Sequence, residues 1–450
     1  MEKKNTNLMT EGPIAKQLIF FALPLLLGNI FQQLYNTVDA MIVGRFVGTQ
    51  ALAAVGSAGA VVNLIVSLLM GVTMGASVVV SNHYGARDIE RMRKAIHTAT
   101  MLALVAGIII SIVGITSSPL IVRWIGTPDN VVGDSTRYLR IIFMGTIGMM
   151  LYNAGSSIFR AVGDSKRPLY YLIFSSIVNI VLDILFVAVL GWGIEGAGVA
   201  TILSQLASAI VTYSKLFTEK QEYQLSFSEM KIDKKEAVLI VKIGIPGGIQ
   251  NSVIALSNLI VQANINSFQD VAMAGCAAYV KIDGFAVMPA ISFSMALTTF
   301  IGQNMGAKKP ERMKKGARYG TLLAMVTVEV LGILLYFGAK PLIGMFDSNP
   351  EVIAYGASMA RTIAPFYIFL GMSHAMGGTL RGAGLTKVPM IVMIMCWCVE
   401  RVTWITLSIR FIANDIHMVF WGYPITWITS TIIFLIYYYK ADWIHHSLDR

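Results

Sequence analysis

The chain has 450 residues, of which 55% are hydrophobic and only 13% are charged, and its mean hydropathy is +0.66. Soluble domains carry about 25% charged residues, so this composition excludes an ordinary soluble domain and indicates a polytopic membrane protein. The formal net charge is +10, which would suit an acidic partner unless membrane topology accounts for the positive residues. The three cysteines, Cys276, Cys396 and Cys398, all lie in apolar runs, so neither a disulfide framework nor a metal site is predicted.

Continuous apolar runs of about 20 residues or more, enough to cross a bilayer, follow one another along the whole chain. The start, MEKKNTNLMTEGP, is polar, and no small-residue cleavage pattern follows the first run, so no removable signal peptide is predicted. Barrel strands would instead show ten-residue alternating segments. We therefore expect an all-α fold with twelve transmembrane helices, at about 16–44, 51–82, 92–118, 136–159, 168–191, 196–217, 237–267, 272–305, 317–338, 352–380, 388–411 and 416–439.

The positive residues predict how these helices are oriented, because loops on the cytoplasmic side carry an excess of Lys and Arg. If the N-terminus is cytoplasmic, that side receives 26 of the 35 Lys and Arg residues and the other side receives 8, with Arg401 left inside the eleventh span. Both termini are then cytoplasmic. The basic charge is explained by topology, so nucleic-acid binding has no separate support.

The chain also contains an internal repeat. The run GARDIERMRKA from Gly85 resembles GAKKPERMKKG from Gly306, and RAVGDSKRP from Arg160 resembles RGAGLTKVP from Arg381, both at an offset of 221 residues. The longest hydrophilic connection falls between the sixth and seventh spans. We predict an N-terminal six-helix bundle at 1–218, a cytoplasmic linker at 219–236 and a C-terminal six-helix bundle at 237–450. With six helices each, the repeats are parallel and pseudo-symmetric about the membrane normal.

Polar residues in the first span share one helix face. Gln32, Asn36 and Asp39 follow an i, i+4, i+7 pattern, which predicts that the stripe faces the protein interior. A carboxylate near the bilayer centre costs about 2.5–3.5 kcal/mol, so Asp39 requires a partner or a function. Gln32 and Asn36 are candidates for lining a substrate cleft.

The fifth span repeats this pattern, since Asn179 and Asp183 are four residues apart, and the sixth span adds Thr201. Two acids, an amide and a hydroxyl could bind a proton, because burial favours the neutral form of a carboxyl group, or a dehydrated Na⁺ ion held by oxygens. The alternative is that each acid only satisfies neighbouring polar groups. Two acids without obvious basic partners favour the ion-binding interpretation.

The second half lacks these acids at the repeat offset. Its first helix instead carries a neutral stripe, Asn251, Asn258 and Gln262, at i, i+7, i+11. This stripe could line a substrate cleft or form hydrogen bonds between helices. The difference between the halves suggests that ion coupling belongs to the first half and that both halves contact the substrate.

Each half also begins with a helix that contains proline. Pro24 and Pro246 lie inside the first and seventh spans, where proline removes a backbone hydrogen bond and bends the helix. Either residue could be a fixed kink or a hinge that differs between outward- and inward-open states.

Several ionisable residues lie inside spans of the second half. Glu329, Glu400 and Arg401 could form an internal ion pair, or Arg401 could belong to a second protonation or substrate-cation site. His374 is a candidate for the cleft or for a proton site, although a hydrogen-bonded packing role is the commoner one for such a histidine.

Four segments together resemble the multidrug and toxic compound extrusion (MATE) transporters, specifically the DinF-like branch. They are ALPLLLGNIFQQLYNTVDAMIVGRFVGTQALAAVG, NIVLDILF, ALTTFIGQNMGAKKPER and LRGAGLTKVP. The resemblance covers essentially the whole chain. It implies a transporter and not an enzyme, built from two six-helix bundles around a central cleft, that exports cationic amphipathic compounds in exchange for H⁺ or Na⁺.

The resemblance also assigns residues. The first-lobe cation site of the family would fall on Asp39, Asn179, Asp183 and Thr201. A second-lobe site made of acids in the seventh and tenth spans is not expected, because this chain has only amides in the seventh span and GMSHAMGG in the tenth. Family members usually have proline after the fifth-span aspartate, where this chain has Ile184.

The leading hypothesis is a cation-coupled antiporter in the cytoplasmic membrane, acting as a monomer among membrane lipids, with no cofactor other than the coupling ion. One alternative is a flippase for a lipid-linked oligosaccharide, which would need more basic residues inside the cleft than Arg401 and Lys281 supply. Another is a passive channel, which the inequivalent halves disfavour.

Overall fold

The structure is a computed structural model that describes residues 8–48, 66–67, 70–124, 127, 129–268 and 270–444. All regular elements in these ranges are helical, because backbone polar groups inside a bilayer must be satisfied within the segment itself. The helices of the first half are α1 (Ile14–Phe46), α2 (70–85), α3 (Ile89–Trp124), α4 (Asp129–Met144), α5 (Thr146–Ala161), α6 (Lys166–Asp183) and α7 (Gly193–Thr218).

The second half repeats this order after a short 3₁₀ turn at Phe227–Glu229. Its helices are α8 (Lys234–Asn266), α9 (Asp270–Gly306), α10 (Pro310–Gly344), α11 (Pro350–Ile363), α12 (Tyr367–Gly382), α13 (Lys387–Met393), α14 (Arg401–Phe411) and α15 (His417–Lys440). Three irregular segments interrupt the α-helices of the two halves. They are a π-helix at Ile184–Val189 in the first half, and a 3₁₀ turn at Ala364–Phe366 and a π-helix at Ile394–Glu400 in the second half.

Within the described residues, ten helices are long and apolar enough to cross a membrane, and α4 with α5 supplies an eleventh if this pair, bent by 45°, is one span. The prediction of an all-helical polytopic protein is confirmed. The predicted second span, 51–82, lies largely outside the described residues. The predicted span at 136–159 is a bent pair of helices that meet at Gly145, whereas the predicted span at 352–380 lies within one candidate span, Pro350–Gly382, that contains a 3₁₀ turn at Ala364–Phe366.

The internal repeat is visible in the backbone. Helices α1 and α8 each have 33 residues, and α5 and α12 each have 16 residues and start 221 positions apart. Arg87 and Lys308, also 221 positions apart, both adopt positive φ angles, of 57° and 54°. Positive φ is uncommon outside glycine, so the two halves share the same strained turn before α3 and α10.

The chain divides into two compact units. Unit 1 is built mainly from Leu27–Gly248, and unit 2 from Met9–Leu26 and Ile249–Arg450. Helix α1 therefore changes unit two residues after Pro24, and α8 changes unit two residues after Pro246. The domain limits 1–218, 219–236 and 237–450 stay a prediction. The division into compact units places the beginning of α1 in unit 2 and the beginning of α8 in unit 1.

In unit 1, the beginning of α8 packs directly against the backbone of α2. A Cβ atom built on Gly244 would lie 2.5 Å from the carbonyl oxygen of Gly71, and one built on Gly71 would lie 2.5 Å from the carbonyl oxygen of Gly244. Real Cβ atoms do not come this close. The two helices can touch here only because both residues lack a side chain, a contact common between membrane helices.

A buried ionic cluster, the Glu236 cluster, fixes the first turn of α8 in the same unit. The Glu236 carboxylate accepts hydrogen bonds from His83 Nε2 at 2.9 Å and from Arg91 Nε at 3.0 Å. Asp233 caps the helix, because its Oδ1 accepts the backbone N–H groups of Lys235 at 2.9 Å and Glu236 at 3.1 Å. The two bonds to Asp233 satisfy two of the backbone N–H groups that a helix start leaves without partners.

In unit 2, an arginine binds the chain just before α1 through neutral backbone carbonyl groups. Arg312, the repeat counterpart of Arg91, donates to the carbonyl oxygens of Met9 at 3.1 Å, Glu11 at 3.0 Å and Gly12 at 2.9 Å. Both halves therefore use an arginine at the same repeat position to bind the start of a long helix. Among the residues that the structure describes, only unit 1 adds a buried glutamate and histidine to this arrangement.

Candidate functional site

The structure brings the four residues of the predicted first-half cation site together in unit 1; we call this group the acid cluster. Asn179 and Asp183 are fully buried on α6 and lie one helical turn apart. In the amide orientation that satisfies both neighbours, the Asn179 side-chain N–H donates to Asp183 Oδ2 at 2.8 Å and its oxygen accepts the backbone N–H of Thr201 at 3.3 Å. Asp39 of α1 is half-buried and completes the group.

The carboxyl groups of Asp39 and Asp183 lie close enough to affect each other's ionisation. Two ionised carboxylates repel each other and have no hydrogen to share, so a proton or a cation between them would stabilise this arrangement. The other oxygen of each acid, Oδ1, is buried and has no hydrogen-bond partner among the described residues. The acid cluster thus fits either a proton shared by the pair or a dehydrated cation held between carboxylate oxygens.

Two tyrosines that sequence reasoning missed border the acid cluster. The Tyr35 side chain lies beside that of Thr201, and Tyr35 lies one turn before Asp39 on α1. Tyr138 of α4 is buried and lies close enough to interact electrostatically with both acids. The spacing of Tyr35 and Asp39 was a usable signal for a shared face, whereas nothing in the sequence near Tyr138 pointed to the site.

The predicted cleft residues on α1 and α8 occupy mixed environments. Gln32 and Asn36 are exposed in unit 1, and Asn251 is exposed in unit 2. Gln262 is half-buried and donates to Asn266 Oδ1 at 2.8 Å. The amide stripe of α8 therefore includes at least one hydrogen bond within the helix, and its role in binding substrate stays a prediction.

The three residues of the predicted ion pair are not brought together. Glu329 accepts the backbone N–H of Ile368 at 2.8 Å, and Glu400 accepts the Thr429 hydroxyl at 2.9 Å. Within the ranges that the structure describes, Arg401 has no carboxylate within 4.0 Å. Glu329 instead stabilises the start of α12, where the break at Ala364–Phe366 leaves backbone N–H groups without helical partners.

Arg401 is nevertheless buried, with 2% of its side chain exposed. Its guanidinium donates to Thr426 at 3.1 Å and to Asn258 at 3.4 Å, and it lies 4.6 Å from the centre of the Tyr423 ring. His374 is half-buried and packs edge-to-face against Trp397 at 5.3 Å. Asn258 is thus a partner of a buried cation, and the role of His374 as a cleft, proton or packing residue stays a prediction.

Comparison with known proteins identifies the family to which this arrangement belongs. The profile of the MatE family matches residues 24–185 and 246–403, one match in each half of the chain. A relative from Bacillus subtilis, the probable multidrug resistance protein YpnP, is 30% identical over 86% of this chain and 87% of its own length. The chain belongs to the MatE family.

Two further comparisons extend over the whole length of this MatE protein. The probable multidrug resistance protein YoeA of Bacillus subtilis is 29% identical over 99% of this chain and 97% of its own length. A solved structure of an outward-facing multidrug resistance MATE family transporter of the MOP superfamily superposes with a TM-score of 0.92, 22% identity and 99% coverage of both chains. The predicted fold class is confirmed, and the chain is a membrane transporter and not an enzyme.

This MatE protein departs from the predicted helix geometry directly after the acid cluster. Asp183 ends α6, and the π-helix Ile184–Val189 begins at the next residue. A π-helix widens the turn and is frequent at functional sites. The backbone is therefore irregular directly after Asp183, although Ile184 keeps its N–H group.

Proposed function

We propose that this protein is a secondary antiporter that exports cationic, amphipathic compounds and takes up H⁺ or Na⁺ in exchange. The observation that carries the proposal is that Asp39 and Asp183, two neighbouring acids, each have one buried carboxyl oxygen without a partner in the described structure. The names of YoeA and YpnP, probable multidrug resistance proteins, support drugs as the substrate class.

The acid cluster can couple an ion to transport because its net charge depends on whether a proton or a cation is bound. With both acids ionised, the cluster carries two negative charges in an apolar bundle, and this state attracts a cation. Binding of one proton or one Na⁺ removes one of these charges. If the ion and the drug favour different conformations of the transporter, each lowers the affinity for the other by the same factor, which is the thermodynamic requirement for exchange.

The unit boundaries next to Pro24 and Pro246 support bending at these prolines as the conformational step. A helix that belongs to two compact units must bend if the units move, and proline weakens the helix at that point. We further propose a location in the cytoplasmic membrane with both termini cytoplasmic, a monomer in contact with membrane lipids, and no cofactor besides the coupling ion. The excess of Lys and Arg on one face supports this orientation.

Reconstituted transport tests the proposal. Proteoliposomes are given a pH gradient or a Na⁺ gradient, and efflux of a fluorescent cationic dye is followed for the wild type, Asp39→Asn and the control Asp270→Asn. Asp270 is exposed at the start of α9. A coupling free energy of about 1–3 kcal/mol corresponds to about 5–150-fold, so we expect Asp39→Asn to lose gradient-driven efflux by about tenfold or more.

Asp270→Asn should transport like the wild type. Efflux by Asp39→Asn at the wild-type rate, with the same response to both gradients, would contradict the proposed role of the acid cluster. Dye movement by the wild type that ignores both gradients would contradict the antiporter itself.

A further inference from the structure

We propose that His97 of α3 is a pH-sensitive latch for the linker, residues 219–236. The neutral side chain holds the middle of the linker in the conformation seen here, and protonation of the side chain moves it into another. All parts of this latch lie in unit 1, and its action does not depend on the antiporter function proposed above.

The hydrogen bonds of His97 define its protonation state. The residue is buried, with 1% exposure. Its Nδ1 lies 2.7 Å from the carbonyl oxygen of Arg93, and its Nε2 lies 3.0 Å from the backbone nitrogen of Ser226. A carbonyl oxygen can only accept and a backbone N–H can only donate, so Nδ1 carries a hydrogen and Nε2 carries a lone pair. Only the neutral imidazole, protonated at Nδ1, satisfies both partners.

The linker is anchored on both sides of this contact. The N–H group of Leu225 donates to the carbonyl oxygen of Leu216 at 2.8 Å, and that of Asp233 donates to Thr98 Oγ1 at 3.0 Å. Between these anchors, the bond from Ser226 to His97 and the ion pair of Glu229 with Arg93, at 3.1 Å, join the linker to α3. A change at His97 therefore acts on residues 226–232 while both ends of this segment stay attached.

Protonation of His97 reverses one of its two contacts. When Nε2 takes a proton from water, both ring nitrogens become donors. The N–H group of Ser226 then faces another N–H group and loses its acceptor. The carboxylate of Glu229, whose Oε2 lies 4.0 Å from Nε2, can accept the new hydrogen after a small shift of the turn Phe227–Glu229. The protonated ring thus exchanges a backbone partner for an acidic one.

A cavity of about 630 Å³ between α3 and the linker brings water and protons to His97. Besides His97, the charged residues that line it are Glu90, Arg93 and Lys94 on α3, and Glu229, Lys231 and Asp233 on the linker. Three cations balance three acids here, so the hydrogen bonds decide which form of His97 is favoured. Histidine is the side chain that ordinarily changes charge between pH 5 and 8, so the latch would respond to modest changes of pH.

The second half of the chain has other residues at the equivalent positions. At the repeat offset of 221, Arg318 corresponds to His97, and Asn304 corresponds to His83 of the Glu236 cluster. Asn304 donates to the carbonyl oxygen of Met9 at 3.2 Å. Arginine and asparagine side chains do not ordinarily change charge between pH 5 and 8. We therefore expect pH to act on the chain leading into α8 and not on the chain leading into α1.

Hydrogen exchange followed by mass spectrometry tests the latch in the full-length protein in lipid nanodiscs. Protection of residues 226–232, corrected for the intrinsic pH dependence of exchange, is measured between pH 5 and 8. We expect protection at the upper end of this range and a loss of about threefold to tenfold as the pH falls, which corresponds to one hydrogen bond. His97→Gln keeps an acceptor near the position of Nε2 but cannot titrate, so its protection should not depend on pH. The control His417→Gln, which removes a histidine of unit 2, should respond like the wild type.

Glu229→Gln provides a second test, which also covers the case in which the His97 variant does not fold. This change removes the acid beside Nε2 and leaves Arg93 unpaired, and both effects disfavour a protonated ring. The midpoint of the change in protection should therefore move to lower pH. Protection that is constant with pH in the wild type, a pH response that survives His97→Gln, or a midpoint unmoved by Glu229→Gln would overturn the proposal. None of these results depends on dye efflux, so failure here is distinct from failure of the antiporter.

Discussion

Substituting Glu236 with Gln should destabilise unit 1, because this change keeps the volume of the side chain but removes its charge. The Glu236 cluster contains one contact with His83 at 2.9 Å and two with Arg91, at 3.0 and 2.9 Å. The His83 contact is buried at both ends, and a hydrogen bond to a charged group contributes about 1.5–3 kcal/mol. The Arg91 side chain is 47% exposed, so its pair contributes about 0–1 kcal/mol.

The expected loss in the free energy of unfolding is therefore about 1.5–4 kcal/mol. It can be measured by denaturant titration of the detergent-solubilised protein, followed by tryptophan fluorescence. Glu229→Gln is the matched control, because Glu229 pairs with Arg93 at 3.1 Å on the surface, where the side chains are 47% and 37% exposed. That control should lose less than about 1 kcal/mol. Equal losses in the two variants would refute the reasoning that burial gives the Glu236 cluster its strength.

Two further predictions concern the same region of unit 1. Gly244→Ala should cost about 1–3 kcal/mol of stability by overpacking, because the new Cβ atom would lie 2.5 Å from the carbonyl oxygen of Gly71. Thermal melting measures this loss, and Gly133→Ala is the control because its Cβ atom would meet no atom within 4 Å. The backbone N–H of Glu236 holds the pKa of Asp233 below its usual value. The ionised Asp233 therefore stabilises the fold at any pH above the ordinary pKa of an aspartate, and this stabilisation is lost as the pH falls through the lowered pKa. Asp233→Ala should flatten the acid side of a plot of stability against pH, and an unchanged acid side would contradict this capping role.

The sequence predicted the acid cluster well because helical periodicity decides which residues share a face. Asn179 and Asp183 were expected one turn apart on one face, and the structure places their side chains 2.8 Å apart. The offset of 221 residues between the repeats likewise recurs in helix boundaries and in the turns at Arg87 and Lys308. Both results depend on local geometry that every apolar helix shares.

The sequence did not predict where helices break or what the breaks create. The run 352–380 is apolar throughout, so nothing in its hydropathy marks the 3₁₀ turn that places Tyr367 beside Asp283. The same break supplies the backbone donor that occupies Glu329, which was expected to pair with Arg401. Contacts between helices depend on how each helix is rotated about its own axis and how far it is shifted along that axis. The periodicity of 3.6 residues in a single sequence specifies neither.

The assignment of residues 9–26 to unit 2 and of residues 234–248 to unit 1 has a consequence for biogenesis. During translation, the segment Met9–Leu26 leaves the ribosome early, yet the rest of the unit to which it belongs, Ile249–Arg450, is synthesised last. Unit 1 in turn lacks its final helical segment until the ribosome has passed the linker. Neither unit can mature from its own half of the message, so two separately translated fragments divided at the linker should become stable only when they are produced together.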